Sequence, residues 1–469
     1  MARRKKKKTV SKVFTIILLL INLLFIVLTF MINVIPLKYM LIIVGVFVLL
    51  DIIAISLLFC KGKAKRTIGM VLASVLSLIM LLGSFYEIST LGFFGNFGKY
   101  NYKTLNYKVL VLANSGHKDI KDLKNEIISF ADDDHAEDAI KEIKKEIKFK
   151  NDIIKDTNEL INNLVEEKTD AIVIEESKYT ILEEENSEFV NMVETIYTFS
   201  IDIKVESIDK SVDVTKEAFN IYISGIDSYG KITSVSRSDV NIVATVNPTT
   251  NEIILTSIPR DYYVQLHDTT GYKDKLTHAG IYGIEKSVQT IEDLLDIEIN
   301  YYFKVNFTSL IKIVDELDGI TVNSNHSFTS QDGYRYNKGE NNLNGKEALS
   351  FVRERKAFKE GDRVRGENQQ LVLQAIINKA LSPKIITKYN SLLKALEGKF
   401  ITNLKDDDIT SLIKSQLDNP KSWEFSTINL DGSDAYDYTY SHSASKLYVM
   451  VPDEESVNSA KEKLQEALN

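Results

Sequence analysis

Residues 350 to 370, "SFVRERKAFKEGDRVRGENQQ", put Arg353, Arg355, Arg363 and Arg365 beside Lys356 and Lys359 in a chain whose net charge is −8. A guanidinium presents a rigid fork of N–H donors that grips two phosphate oxygens at once, whereas a lysine offers a point charge. If residues 353 to 355 are extended, Arg353 and Arg355 project to one side. If Asp362 opens the following helix, then Asp362, Arg365 and Gln369 recur at spacings of three and four and share a face. Several arginines so placed suit a pyrophosphate better than a lone carboxylate. The same window also allows Glu354, Glu360 and Glu367 to neutralise the arginines on a solvated face, with Asp362 as a helix N-cap.

A second polar group collects at the ends of apolar runs, where open α/β sheets bind ligands. Asp227 closes "NIYISGID", Arg237 and Asp239 precede "VNIVATV", and Arg260 with Asp261 follow "EIILTSIP". Two carboxylates at neighbouring strand ends can share a hard cation, since magnesium takes one or two carboxylates plus phosphate oxygens and water. Asp227 before Ser228 and Gly230 would equally make an Asx-turn, and Asp239 would equally pair with Arg237.

The elements that must position these residues follow from periodicity. "SDVNIVATV" and "NEIILTSIP" form a hairpin across "NPTT", "INYYFKVN" reads as a strand and "FTSLIKIVDEL" as a helix closed by Gly319. "NGKEALSFVR" starts a helix, and a longer one runs from about Arg363 to Leu381, before Pro383. Strands near Trp423 and Tyr448 and a final helix complete a mixed α/β layered sheet with flanking helices over residues 211–469. Upstream, "YKVLVLA" and "TDAIVIEES" are buried-strand patterns around a heavily charged stretch, 118 to 168, with helical spacing. They predict a small α/β accessory domain over 105–210, in which Asp132, Asp133, Asp134 and His135 read as a solvated loop.

The charge is unevenly shared. Residues 1 to 66 carry twelve Lys/Arg and one acid, leaving 45 Lys/Arg against 64 Asp/Glu for the rest. Three apolar runs, 13–35, 39–60 and 67–86, each have about the twenty residues that span a bilayer core. They predict three transmembrane helices within residues 13–86, preceded by a basic cytoplasmic tail, 1–12, and followed by a linker, 87–104. The basic segments "ARRKKKK" and "KGKAKR" set the orientation, so the N-terminus stays cytoplasmic and everything after Tyr86 lies outside. Asp51 and Asn22 reach similar depth in the first hairpin and are expected to hydrogen-bond, with a protonated Asp51 packed on another helix as the other possibility. The one cysteine, Cys60, sits at the cytoplasmic boundary, so the exported part has no disulfide.

"GID" (225–227), "RSD" (237–239), "PRD" (259–261), "KDKLTHA" (273–279), "LNGKEALSFVRER" and "GDRVRGENQQ" occur in an order that resembles the LytR-CpsA-Psr family, from about residue 215 to the C-terminus. The resemblance is closest to capsule-type members with an accessory domain. Two departures stand out: Asn368 occupies the place of a third arginine before the paired glutamines, and Asp318 precedes Gly319 where a Gly-Gly pair is common. The resemblance implies a phosphotransferase on the outer membrane face. It would move a glycopolymer from a polyprenyl-pyrophosphate carrier to a peptidoglycan sugar hydroxyl, forming a phosphodiester and releasing polyprenyl phosphate. Carried over by motif, Asp227 and Asp239 would hold Mg²⁺ (or Mn²⁺), while Arg237, Arg260, Lys275, Arg353, Arg355, Arg365 and Gln369 would surround the pyrophosphate. Asp362 would be the base for the acceptor hydroxyl, with Arg260 and Arg355 as further catalytic groups. Polysaccharide-export machinery is a candidate partner.

A prenyl chain needs an apolar slot between sheet and helices, drawn from "IYIS", "NYYFKV" and "LVLQAII", positions that more often form a plain core. The competing function is a non-catalytic module that binds polyprenyl phosphate or glycopolymer, or a regulatory membrane protein of the transcriptional-attenuator kind. A short basic tail without a DNA-binding fold supplies topology rather than sequence readout, so no nucleic acid is expected as partner. A phosphatase releasing polyprenyl phosphate to water is a further alternative, separable by the need for a sugar acceptor.

Overall fold

In a computed structural model of the chain, residues 2–96, 102–205, 208, 210–226, 231–359, 361–381 and 396–469 are described. Asp227 and Glu360 lie outside the described residues.

Helices α1 (Ala2–Ile32), α2 (Leu37–Phe59) and α3 (Lys63–Asn96) are each long and apolar enough to cross a membrane. Asn22 Nδ2 donates to Asp51 Oδ2, the pairing expected from their depth. Helix α3 continues ten residues past Tyr86, through most of the glycine- and aromatic-rich stretch expected as linker. That brings Glu87 inside the bundle, where its Oε1 accepts from Thr29 Oγ1 at 2.5 Å. The α1–α2 turn and the start of α2 touch residues in the C-terminal part of the chain: Lys38 Nζ reaches Asp418 Oδ1 at 2.9 Å, and Lys414 Nζ donates to Asn33 Oδ1 at 3.1 Å.

A five-stranded sheet follows, with β1 (Tyr102–Leu112), β2 (Ile127–Ala131), β3 (Lys150–Ile154), β4 (Ala171–Glu175) and β5 (Val193–Lys204) in the order β3-β2-β4-β1-β5. Helices α4 (Ala136–Ile143), α5 (Thr157–Val165), α6 (Glu176–Glu185) and α7 (Ser187–Met192) link them. The charged stretch 118–168 therefore holds two strands as well as helices, and β5 adds a further strand after α7. β2 and β3 are five-residue parallel strands joined through a helix, too short to show alternation among the charged residues around them.

The larger sheet has the order β16-β11-β6-β7-β8-β17. Its strands are β6 (Phe219–Ile226), β7 (Ser238–Asn247), β8 (Glu252–Ser257), β11 (Tyr301–Asn306), β16 (Phe400–Thr402) and β17 (Glu424–Asn429), with the short pair β9 (Tyr263–Val264) and β10 (Asp274–Lys275) beside it. β6, β7 and β8 form an antiparallel meander, while β11 and β17 add in parallel on either flank. Because strand side chains alternate, Tyr222, Val243 and Tyr302 face one side, against α9 (Ile284–Leu295) and α14 (Glu454–Leu468). Ile221, Ile242 and Phe303 face the other. There lie α10 (Phe307–Glu316), α11 (Gly345–Arg353), α12 (Asp362–Ala380) and α13 (Asp406–Asp418). The result is the layered α/β arrangement that the strand and helix patterns predict.

Candidate active site

Helix α12 is fixed on the sheet by two residues of its own. Gln370, 2% exposed, donates Nε2 to Leu255 O at 2.8 Å and Ile428 O at 2.9 Å, bridging β8 and β17. Gly366 permits the close approach, since a Cβ there would meet Ser257 Oγ at 2.8 Å. The helix begins after Gly361, whose φ of 37° favours glycine. Asp362 is thus the first helical residue, not the N-cap, and its carboxylate turns to Arg365 instead. At the end of α11, Arg353 stacks over the Phe307 ring at 4.4 Å. Glu354 is buried and accepts from Gln331 N and Ala357 N at 2.7 and 2.9 Å. It secures the loop that carries Arg355 rather than neutralising the arginines.

Between the sheet and helices α10 to α13 runs a cavity of about 1040 Å³. Arg237, Asp239, Arg260, Arg353, Arg355, Arg365 and Gln369 line one end of it. Ile221 and Ile223, Phe303 and Val305, Val372, Leu373, Ile376 and Ile377 line the rest, with Leu412, Leu417 and Trp423 beyond. Along α12, Arg365 and Leu381 are about 24 Å apart at the helical rise. Alternate residues of the two strand runs expected to form an apolar slot face this space, as do Val372, Leu373, Ile376 and Ile377 of the helical run, while Tyr222 and Tyr302 lie on the opposite face of the sheet. A smaller cleft lined by Asp239, Arg260, Arg365 and Gln369 adds Asp362 and Arg363.

The charges are arranged as an interlocked set. Arg260 Nη1 donates to Asp239 Oδ1 at 3.0 Å, and Thr277 Oγ1 donates to the same oxygen at 3.1 Å. Burial alone would raise the Asp239 pKa, but Arg260, Arg237 and Arg365 together hold it below the usual carboxylate range. Asp362 behaves oppositely: burial raises its carboxyl, the neighbouring Asp261 adds to that, and Arg365 opposes it only in part. Two carboxylates in one site are thereby pushed apart, one held ionised and the other made more basic.

An ionised Asp239 fits the donor type a hard cation needs. Its expected partner, Asp227, lies outside the described residues, and among the described residues no cluster of three or more His, Cys, Asp or Glu side chains forms. Lys275 does not line the cavity; it is buried beside Asp261, with Nζ 3.6 Å from Oδ1. Asp261 itself had been given no role, although its motif "PRD" was conspicuous. It contacts both Arg260, at 3.4 Å, and Lys275, so it tethers the two cations beneath the site. Thr277 was missed too, although its position two residues after Lys275 was the available signal. The apolar contribution of α13 carried no sequence signal, because that helix opens on three aspartates.

The model of the LytR_cpsA_psr family matches residues 175–466. The chain belongs to the LytR-CpsA-Psr family. A Bacillus subtilis (strain 168) relative, the "Polyisoprenyl-teichoic acid--peptidoglycan teichoic acid transferase TagU", is 42% identical over 212 residues, which is 45% of this chain and 68% of that protein. The Bacillus cereus (strain AH820) protein of the same name is 37% identical over 238 residues, 50% of this chain and 75% of its own. The crystal structure of B. subtilis TagU is 35% identical, covers 54% of this chain and 98% of its own, and has a TM-score of 0.43. Two departures from the LytR-CpsA-Psr pattern can be read structurally. Asn368 is 1% exposed and donates to Phe351 O, so position 368 faces α11 and not the cavity. Asp318 and Gly319 both take left-handed φ values, 63° and 77°, a turn that a Gly-Gly pair would also make and that aspartate tolerates.

Proposed function

We propose that this protein transfers a glycopolymer from a polyprenyl-pyrophosphate carrier to a sugar hydroxyl of peptidoglycan, at the outer face of the membrane. The observation that carries the reading is the two-part cavity: an apolar channel of prenyl-binding character joined to a cluster of guanidiniums and one ionised carboxylate. The teichoic-acid transferase names of the relatives support the substrate class, and the basic segments around α1 and α2 support an outside location.

In this reading the acceptor hydroxyl oxygen attacks the phosphorus that bears the glycopolymer, its proton passing to the Asp362 carboxylate. The bond from that phosphorus to the bridging oxygen breaks, and polyprenyl phosphate leaves with the electron pair. Phosphoryl transfer asks the protein mainly for alignment and charge neutralisation. Arg260, Arg353, Arg355 and Arg365 answer that need around the diphosphate, and Arg237 extends the set. Asp239 and Asp227 would hold Mg²⁺, which when bound neutralises diphosphate charge. Lys275 acts one layer back, balancing Asp261 instead of meeting phosphate.

The test is to incubate the full-length protein in detergent with a lipid pyrophosphate-linked sugar, peptidoglycan fragments and Mg²⁺. A covalent sugar-phosphate adduct on the fragments is expected. Release of polyprenyl phosphate at an undiminished rate without any acceptor would identify a phosphatase instead, and binding with no product would leave a carrier.

A further inference from the structure

The five-stranded sheet is joined to the larger domain at residues 233–235, and that segment leads into the site. Thr104 of β1 forms a parallel bridge to Ser234. Its N–H donates to Thr233 O at 2.9 Å, and its carbonyl accepts from Val235 N at 3.0 Å. The Thr104 and Thr233 hydroxyls lie 2.8 Å apart, both buried, and Asn106 Nδ2 donates to Ser234 Oγ at 3.1 Å. Val235 packs into the core of the five-stranded sheet, with Leu105 and Tyr107.

The larger domain holds the same segment from its other side. Lys304 of β11 donates Nζ to Ser234 O at 2.7 Å. Gly280 lies so close that a Cβ there would come within 2.7 Å of Ser236 O and 2.8 Å of Ser238 N. Lys103, next to Thr104, donates to Tyr282 O at 3.4 Å, just after that glycine. Arg237 follows Val235 by two residues, a reach of about 7 Å of extended chain. Asp239 follows by four. The bridged segment thus ends two and four residues before a cavity-lining arginine and the carboxylate paired with Arg260.

We infer that Thr104 and Asn106 are positioning residues for the charged end of the cavity. The five-stranded sheet, none of whose described residues lines the cavity, holds the segment that presents Arg237 and Asp239, and so sets affinity for the diphosphate head of a donor but not for its apolar tail. The inference rests on the pyrophosphate reading above.

Trp423 is the only tryptophan of the chain and lines the apolar end, so its emission reports filling of the cavity. Full-length protein in detergent with Mg²⁺ is titrated with geranylgeranyl pyrophosphate and, separately, with geranylgeraniol. The wild type is expected to prefer the pyrophosphate. Thr104→Val and Asn106→Ala are expected to weaken pyrophosphate binding by about 2- to 30-fold, the range of couplings carried through packed networks. Geranylgeraniol binding stays unchanged, and Thr104→Ser, which keeps the hydroxyl, retains wild-type affinity. Equal losses for both probes would mark a merely structural role and overturn the inference. If Thr104→Val fails to fold, Asn106→Ala and Ser234→Ala carry the same comparison. A wild type that binds both probes equally removes the pyrophosphate reading and this inference with it. A wild-type preference that survives in every folded variant removes this inference alone.

Discussion

In the proposed mechanism, Asp362 and Arg355 divide the chemistry between single side chains. A base works only when ionised, so a carboxyl whose proton affinity is raised gives activity that is present at neutral pH and lost as pH falls. The acid limb of the pH–rate profile for transfer should therefore lie above 3.8, the ordinary aspartate value, because burial raises Asp362. Asp362→Asn should remove that limb and lower transfer by about 10²-fold or more, with binding of the lipid donor retained in the Trp423 titration. Unchanged transfer in that variant would falsify the base assignment. Arg355→Ala should behave differently from a change in the apolar channel. Loss of one electrostatic donor to the transferring group costs about 10²- to 10³-fold in rate. A steady-state assay should place most of that loss in kcat, whereas Val372→Ala should act mainly on KM.

Elements fix these residues in place, and α12 shows what its sequence could and could not reveal. The glutamine pair has divided roles: Gln369 faces the cavity while Gln370 binds two strand carbonyls. Gln370→Ala should leave those carbonyls unsatisfied and lower stability by about 1 to 3 kcal/mol, measured by urea unfolding of the full chain. The limits of α11 and α12, the hairpin of β7 and β8, and the arginines of the window were legible because periodicity, Gly and Pro mark them locally. β2, β3 and β5 were not, because they are ordered by pairing with distant strands. Lys275 was placed at the phosphate by its motif alone. Only the fold reveals that Lys275 is buried beside Asp261, since neighbours across a sheet end leave no spacing in the sequence.

For the whole molecule, the chain joins three apolar helices to two large sheets, and topology can be tested with its own chemistry. Cys60 is the single thiol, at the end of α2. In sealed, right-side-out vesicles a membrane-impermeant maleimide should leave Cys60 unlabelled until the vesicles are opened, while Asn469→Cys in a Cys60→Ser chain should label at once. The reverse pattern would place the catalytic half in the cytosol and end the proposed function. The contact of Lys38 with Asp418 has a thermodynamic consequence of its own. Asp418 lies between Leu417 and Pro420, which border the cavity's apolar end, and Lys38 lies in the first turn of α2, a helix long and apolar enough to cross a membrane. Under the proposed topology, a cavity mouth beside this helix would let a hydrocarbon tail pass sideways from one oily phase to another. Ten methylenes forced through water would otherwise cost about 8 kcal/mol.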